Sequence, residues 1–312
     1  MSKAKLAIAL ITLSVATVAW AVPTSGIAHR VLQPHQSQSV SSVTPVRLRE
    51  GRDGFVASAW INGAGPFTFA VDTGAGVSLI SRNVVEKARL QVNKSRRTLV
   101  GGLCTSPIAS NQEAKLSGLS LGTPSNRITT KAVAAVVVEL PGSIDGILDP
   151  TDVFSPLGYS VDLPNRELRV FDPTSQGLRL NQVPRGGAVV RWVREAGNDR
   201  PFVRLSDSRL ALIDTGSGFG LALTDGRVVG GRSHAADLEN RHDLGGGRVQ
   251  SQEIEPQRVS IGALVLNGVP SDVLSGVAPG TPNILGRRAL FPFKITFDPI
   301  ARLISFEPTE RD

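Results

Sequence analysis

From residue 54 onward, apolar and polar positions alternate in short runs broken by glycine and proline. GFVASAWINGAGPFTFAV predicts a strand, a turn and a second strand that ends at Asp72. In SRNVVEKARL (81–90), Val84, Val85, Ala88 and Leu90 fall at helical spacing behind Ser81, a suitable N-cap, so one short helix is expected there. Elsewhere the apolar runs are too short for helices and are separated by turn residues. LSLG (119–122), DGIL (145–148), VDLPNRELRVFDP (161–173) and VSIG (259–262) are examples. The pattern predicts an all-β chain with little helix.

The same pattern runs through the chain twice. FAVDTGAGVSLI (69–80) has a counterpart in LALIDTGSGFGLAL (210–223), with Asp214 at the place of Asp72. Each aspartate closes a predicted hairpin, FVASAWINGAGPFTFAV in the first copy and FVRLSDSRLALI in the second. After the first come LVGGL (99–103), LSLG, DGIL and VDLPNRELRVFDP; after the second come LGGGR (244–248), VSIG, NILG (283–286) and FDPIARLISFEP (297–308). The offsets agree: 75 residues from Asp72 to Ile147, and 70 from Asp214 to Ile284. Two homologous lobes are therefore expected, at 46–173 and 188–312, joined by a connector at 174–187.

With 312 residues, 41% of them hydrophobic, the chain can build substantial cores, and its 32 glycines and 20 prolines suit a fold rich in turns. Lys3 and Lys5, an apolar stretch over 6–19 and Ala19-Trp20-Ala21 fit a cleavable signal peptide at 1–21, too short in its apolar part for a membrane span. An exported protein, periplasmic or secreted and without a stable membrane anchor after cleavage, is the expectation. Residues 22–45 are polar and serine- and glutamine-rich, and read as a flexible leader. Cys104 is the only cysteine, which excludes an intrachain disulfide and a thiolate-rich metal site. The net charge of +7 comes from dispersed arginines and suits solubility better than nucleic-acid binding.

An aspartate at the end of an apolar strand is costly if it is buried alone, so a second acid group that shares its site explains it better. Two related lobes that face each other would bring Asp72 and Asp214 together near a pseudo-twofold axis. Two carboxyls in contact do not both ionise easily; one keeps a proton while the other stays charged. Such a pair can activate a water molecule against a peptide carbonyl and donate a proton to the carbonyl oxygen, with no metal or organic cofactor.

Over nearly all of the chain beyond the leader, the paired hydrophobic-hydrophobic-D-T-G motifs, each followed some 70 residues on by an apolar pair, resemble the aspartic proteases. The resemblance is to the retropepsin-like group, here with two lobes fused in one chain as in pepsins. It implies a bilobal all-β fold, two β-barrel-like lobes with a cleft between them, and an aspartic endopeptidase with Asp72 and Asp214 as its catalytic pair. By the same resemblance Thr73 and Thr215 cross-brace the two active-site loops, Gly74 and Gly216 keep them tight, and Ser217 supports Asp214. Gly101 and Gly102, and Gly245 and Gly246, fall where this group places its flaps; the only tyrosine, Tyr159, is far from both. A polypeptide substrate, no nucleic acid and a monomer are the expected partners and state.

This chain departs from the family pattern at two points. Ile147-Leu148 is followed by Asp149 where Ile284-Leu285 is followed by Gly286, which implies a rearranged turn or an aspartate at the loop surface. Ala75 stands where the second copy has Ser217, so only Asp214 gains a hydroxyl donor and Asp214 is expected to ionise more easily. These departures sustain one rival reading, a catalytically silent protein that holds peptides or an envelope ligand in the same groove. SHAADLENRHD (233–243) reads as a solvated charged segment, not a metal site, and G-x-G-x-G in DTGSGFG lacks nucleotide-loop spacing.

Overall fold

A computed structural model describes residues 44–51, 54–94, 110–128, 132–140, 143–195, 198–224, 239–242 and 248–309. The expected signal peptide, all of the leader but residues 44 and 45, Gly101, Gly102, Cys104, His234, Gly245 and Gly246 lie outside the described residues.

Along the chain come β1 (Val46–Arg47), β2 (Arg49–Gly51), β3 (Gly54–Ile61), β4 (Ala64–Val71) and β5 (Ser78–Ile80). Helix α1 (Arg82–Lys87) precedes β6 (Val92–Lys94), β7 (Gln112–Leu116), β8 (Ser120–Leu121), β9 (Val133–Val137) and β10 (Gly146–Leu148). Next are α2 (Pro150–Phe154), β11 (Gly158–Asp162), β12 (Glu167–Phe171) and α3 (Pro173–Gln176). The second half opens with β13 (Ala188–Arg191), β14 (Val193–Glu195), β15 (Asn198–Arg204), β16 (Leu210–Asp214), β17 (Leu221–Leu223) and β18 (Glu239–His242). It closes with β19 (Arg248–Ile261), β20 (Leu264–Ser275), β21 (Asn283–Gly286), α4 (Arg287–Leu290), β22 (Phe293–Asp298) and β23 (Leu303–Pro308). The described chain is thus mostly β-sheet with a few short helices.

Local chemistry explains these elements. The β3–β4 hairpin turns at Asn62 (φ 52°) and Gly63 (φ 79°), a pair that tolerates two positive φ angles in a two-residue turn. Helix α1 begins where Ser81 accepts a hydrogen bond from the Val84 N–H at 3.4 Å, and it buries Val84 completely. It stops before Arg89, which takes a φ of 51°. The strands β5, β10 and β21 are buried along their whole length, as expected of strands with parallel neighbours and both faces covered, and Ser78 and Asn283 are buried polar residues among them.

One sheet has the order β2-β3-β4-β10-β5-β9-β7-β6, with β8 paired to β3. A second has the order β14-β15-β16-β21-β17-β20-β19-β18. Strand for strand, the two orders coincide. A third sheet, β1-β12-β11-β22-β23-β13, draws from both halves, because β11 pairs antiparallel with β22 through Tyr159↔Phe297 and Val161↔Ile295. The core beneath it is aromatic: Tyr159 stacks on Phe297 at 4.7 Å, and Trp192 meets Phe297 edge-on at 6.0 Å. Such pairs contribute about 0.5–1.5 kcal/mol each beyond the area they bury. Tyr159 is accordingly a core residue.

Candidate active site

Two strand ends carry the candidate acids, Asp72 and Asp214. Strand β4 runs parallel to β10 with Val71 opposite Leu148, and the Asp72 N–H continues the ladder to the Leu148 carbonyl at 3.0 Å. Strand β16 runs parallel to β21 with Ile213 opposite Leu285 and Asp214 opposite Gly286. The apolar pairs Ile147-Leu148 and Ile284-Leu285 are therefore the buried parallel partners of the strands that deliver the aspartates. Their spacing from D-T-G is a record of strand pairing.

Beyond each aspartate the chain turns, and the two turns hold each other. The Thr73 hydroxyl donates to the Ile213 carbonyl at 2.6 Å and accepts from the Thr215 N–H at 3.0 Å. The Thr215 hydroxyl donates to the Val71 carbonyl at 3.1 Å and accepts from the Thr73 N–H at 3.2 Å. Both threonines are fully buried. Each hydroxyl is both donor and acceptor, so valine at either position forfeits two bonds at once.

This bracket puts each carboxyl against the other motif's glycine. A Cβ built on Gly74 would lie 2.6 Å from both Cγ and Oδ2 of Asp214, and one on Gly216 would collide with the carboxyl of Asp72. Only glycine leaves room for the two acids side by side. Gly74→Ala is expected to cost about 1–3 kcal/mol of stability through overpacking, measured as a lowered midpoint in chemical denaturation. An unchanged midpoint would mean that the carboxyls do not pack there.

The two acids hydrogen-bond to each other and are electrostatically unequal. Burial, then the charge and hydrogen bond of Asp214, hold the Asp72 carboxyl well above the usual carboxylate range; the Gly74 N–H, at 2.8 Å from Oδ1, opposes this in part. Burial also raises Asp214, but the Asp72 hydrogen bond, the N–H groups of Ser217 and Gly216 and the Arg287 guanidinium all pull it back. Both carboxyls are therefore raised, Asp72 more strongly than Asp214. The direction agrees with the sequence expectation, although the donor does not: the backbone N–H of Ser217 reaches Asp214 Oδ1 at 2.8 Å, while its hydroxyl accepts from the Phe219 N–H at 3.3 Å.

For Asp149 the sequence left open a rearranged turn or a place at the loop surface, and the structure excludes the latter. The residue is 4% exposed, as the N-cap of α2, where its Oδ1 accepts from the Thr151 N–H at 2.9 Å. Burial pushes its carboxyl up to about 7. Arg287 is a residue that sequence reasoning misses altogether. Its Nη1 donates to the Thr215 carbonyl at 3.0 Å and the Gly216 carbonyl at 2.8 Å, and its guanidinium lies 5.9 Å from the Phe55 ring centroid. Gly54 (φ 132°) passes so close that a Cβ there would be 2.6 Å from Nη1. The one signal in the sequence is a charged residue directly after a buried apolar strand.

The two glycine-rich stretches lie outside the described residues. Strands on either side of them pair antiparallel, β6 with β7 (Lys94↔Gln112) and β18 with β19 (His242↔Arg248).

Residues 57–149 match the family model described as aspartyl protease, a stretch that begins in β3, contains Asp72 and its turn, and ends at Asp149. No curated protein matches the chain. The family match supports a protease-type function, a peptidase hydrolase.

Proposed function

We propose that this protein is an aspartic endopeptidase with two fused lobes, each supplying one catalytic aspartate to a cleft between them. The observation that carries this reading is the reciprocal threonine bracket, which joins two register-equivalent strand ends and sets Asp72 and Asp214 side by side. The repeated sheet order agrees with two lobes.

In the reaction, the charged Asp214 takes a proton from a water molecule as its oxygen attacks the peptide carbonyl carbon, and the protonated Asp72 donates to the carbonyl oxygen. A tetrahedral diol forms, with Asp214 now protonated and Asp72 charged. Asp214 then gives its proton to the amide nitrogen as the C–N bond breaks, and Asp72 recovers a proton from the diol as the new carboxyl forms. Both acids return to their starting states. Thr73, Gly74, Thr215, Gly216 and Ser217 hold the pair in place, and no cofactor enters any step. The substrate is an extended polypeptide held by strand-like backbone hydrogen bonds. The glycine-rich stretches at Gly101, Gly102, Gly245 and Gly246 act as closing flaps. Export follows from the N-terminal residues, and a complete site in one chain makes the monomer sufficient.

Unfolded casein incubated with the purified protein between pH 3 and 7 tests this reading. Asp72→Asn and Asp214→Asn are each expected to lower the cleavage rate by about 10²–10⁴-fold, the usual worth of a positioned acid or base. Equal cleavage by all three proteins would identify a contaminant and remove the aspartate pair from the mechanism. No cleavage at any pH would turn the reading to a protein that holds peptides without cutting them.

A further inference from the structure

The two halves of the site differ most at the residues just beyond their parallel partner strands. Asp214 lies opposite Gly286 in the β16–β21 register, and the same register in the first half places Asp149 beside Asp72. One step further on, the first half has Pro150 and the second has Arg287. A buried carboxyl therefore stands behind one aspartate and a guanidinium behind the other.

A Cβ on Gly286 would meet the Phe219 carbonyl at 2.5 Å, the Ser217 carbonyl at 2.9 Å and Ser217 Oγ at 3.0 Å, so backbone more than the serine hydroxyl bars a side chain there. In the first half Ala75 replaces the serine, and position 149 carries a side chain. The Asp149 N–H donates to Ser78 Oγ at 3.1 Å, and its carboxyl caps α2. The other groups about it among the described residues are Thr151, Asp152 and Tyr159, whose hydroxyl is 2.9 Å from Thr151 Oγ1, and none of these is a cation. Arg287, in contrast, is clamped by the carbonyls of Thr215 and Gly216, the two residues after Asp214.

We propose that Asp149 and Arg287 are positioning residues that make the two halves of the site electrostatically unequal, so that Asp72 keeps the shared proton and Asp214 keeps the charge. Neither touches substrate in this scheme; each acts through the aspartate beside it. Among the described residues, the charged groups that face Asp72 are Asp214 and Asp149, and those that face Asp214 are Asp72 and Arg287. As Asp149 ionises with rising pH, its charge opposes loss of the Asp72 proton. As pH falls, Arg287 opposes protonation of Asp214. Together they widen the pH range over which one acid and one base coexist.

The catalytic consequence rests on the endopeptidase reading, so the test has one arm that depends on cleavage and one that does not. In the first, casein cleavage is followed from pH 3 to 9 for Asp149→Asn, Arg287→Met and Arg287→Lys. Asn retains the oxygen that caps α2, and Lys retains the charge without the planar fork. Asp149→Asn is expected to move the alkaline limb to lower pH by half a unit or more. Arg287→Met is expected to move the acid limb to higher pH by a similar amount, and Arg287→Lys to restore it. In the second arm, carboxyl carbon resonances of Asp72 and Asp214, assigned with Asp72→Asn and Asp214→Asn, are titrated in the same proteins. Asp72 is expected to stay protonated to higher pH than Asp214, with the gap narrowed by Asp149→Asn and by Arg287→Met.

Reversed ordering in the wild type, limbs and resonances unmoved by the variants, or Arg287→Lys behaving as Arg287→Met would overturn the proposal. Should no substrate be cleaved while the resonances order and shift as described, the endopeptidase reading fails and the electrostatic assignment stands. If Arg287→Met does not fold, Arg287→Lys and Asp149→Asn carry the test.

Discussion

Thr73→Val and Thr215→Val are each expected to lower the unfolding free energy by about 2–4 kcal/mol, although valine matches threonine in shape and leaves no cavity. The loss comes from the hydroxyl. In Thr73→Val the Ile213 carbonyl and the Thr215 N–H, both at the centre of a buried site, each lose a partner. In Thr215→Val the same happens to the Val71 carbonyl and the Thr73 N–H. The cost arises because a buried polar group without a partner forfeits its hydration and gains nothing in return. Since the two hydroxyls form one bracket, the double variant should fall short of the sum of the singles by about 0.5–3 kcal/mol, the range seen for directly coupled pairs. Thr→Ser at either position keeps the oxygen and should lose far less. Guanidinium denaturation of these proteins measures all of this, and singles that lose under about 1 kcal/mol would mean that the bracket does not hold the halves together.

The second large effect lies in the pH dependence of stability and comes from Asp149. Burial raises its folded carboxyl to about 7 from the ordinary aspartate value of 3.8. Between those values the folded state binds a proton that the unfolded chain has released, so stability falls as pH rises through the window. Below about pH 4 both states are protonated and the contribution is full; above about pH 7 it is lost. The integrated change is on the order of 4 kcal/mol. Asp149→Asn, which keeps an oxygen at the cap position, removes the titration. The stability difference between wild type and Asp149→Asn, measured by denaturation at half-unit steps from pH 3.5 to 8.5, should therefore change steadily in favour of the variant as pH rises. A difference that stays constant across the range would mean that Asp149 is not held neutral in the folded protein.

How far the molecule can be read from its residues depends on the range over which each interaction acts. Strands, hairpins and the α1 helix arise from neighbours, and their marks are local: Asn62-Gly63 in a turn, Ser81 before a helical spacing, apolar runs between turn residues. The pairing of β4 with β10 and of β16 with β21 spans some 70 residues and is still legible. Strands buried on both faces are predominantly apolar, and in this chain an apolar pair occurs twice with matching offsets. Ile147-Leu148 and Ile284-Leu285 are the trace of that demand.

For Asp149 one of the two sequence alternatives, the loop surface, is excluded, and Ser217 departs from expectation; each outcome has a physical reason. A charged residue that breaks a motif suggests solvent by its type alone, but burial depends on what packs over it, and here α2 and β5 enclose it. The serine hydroxyl is long enough in principle to reach Asp214; the fold turns it toward the Phe219 N–H, and the serine backbone N–H takes its place on the carboxyl. Arg287 leaves only one weak mark, a charge directly after a buried apolar strand, since the groups it meets include carbonyls of residues 215 and 216 and a ring at position 55.

Residue order alone is enough to derive a mostly β chain, its two D-T-G turns and the apolar pair that accompanies each, because these follow from propensities, turn chemistry and the periodicity of burial. Tertiary structure decides the atoms and distances through which Thr73 and Thr215 clasp the two turns, that Asp149 is buried and that Arg287 stands behind Asp214. Those properties depend on distance and desolvation among groups up to 144 residues apart, and no local pattern encodes them.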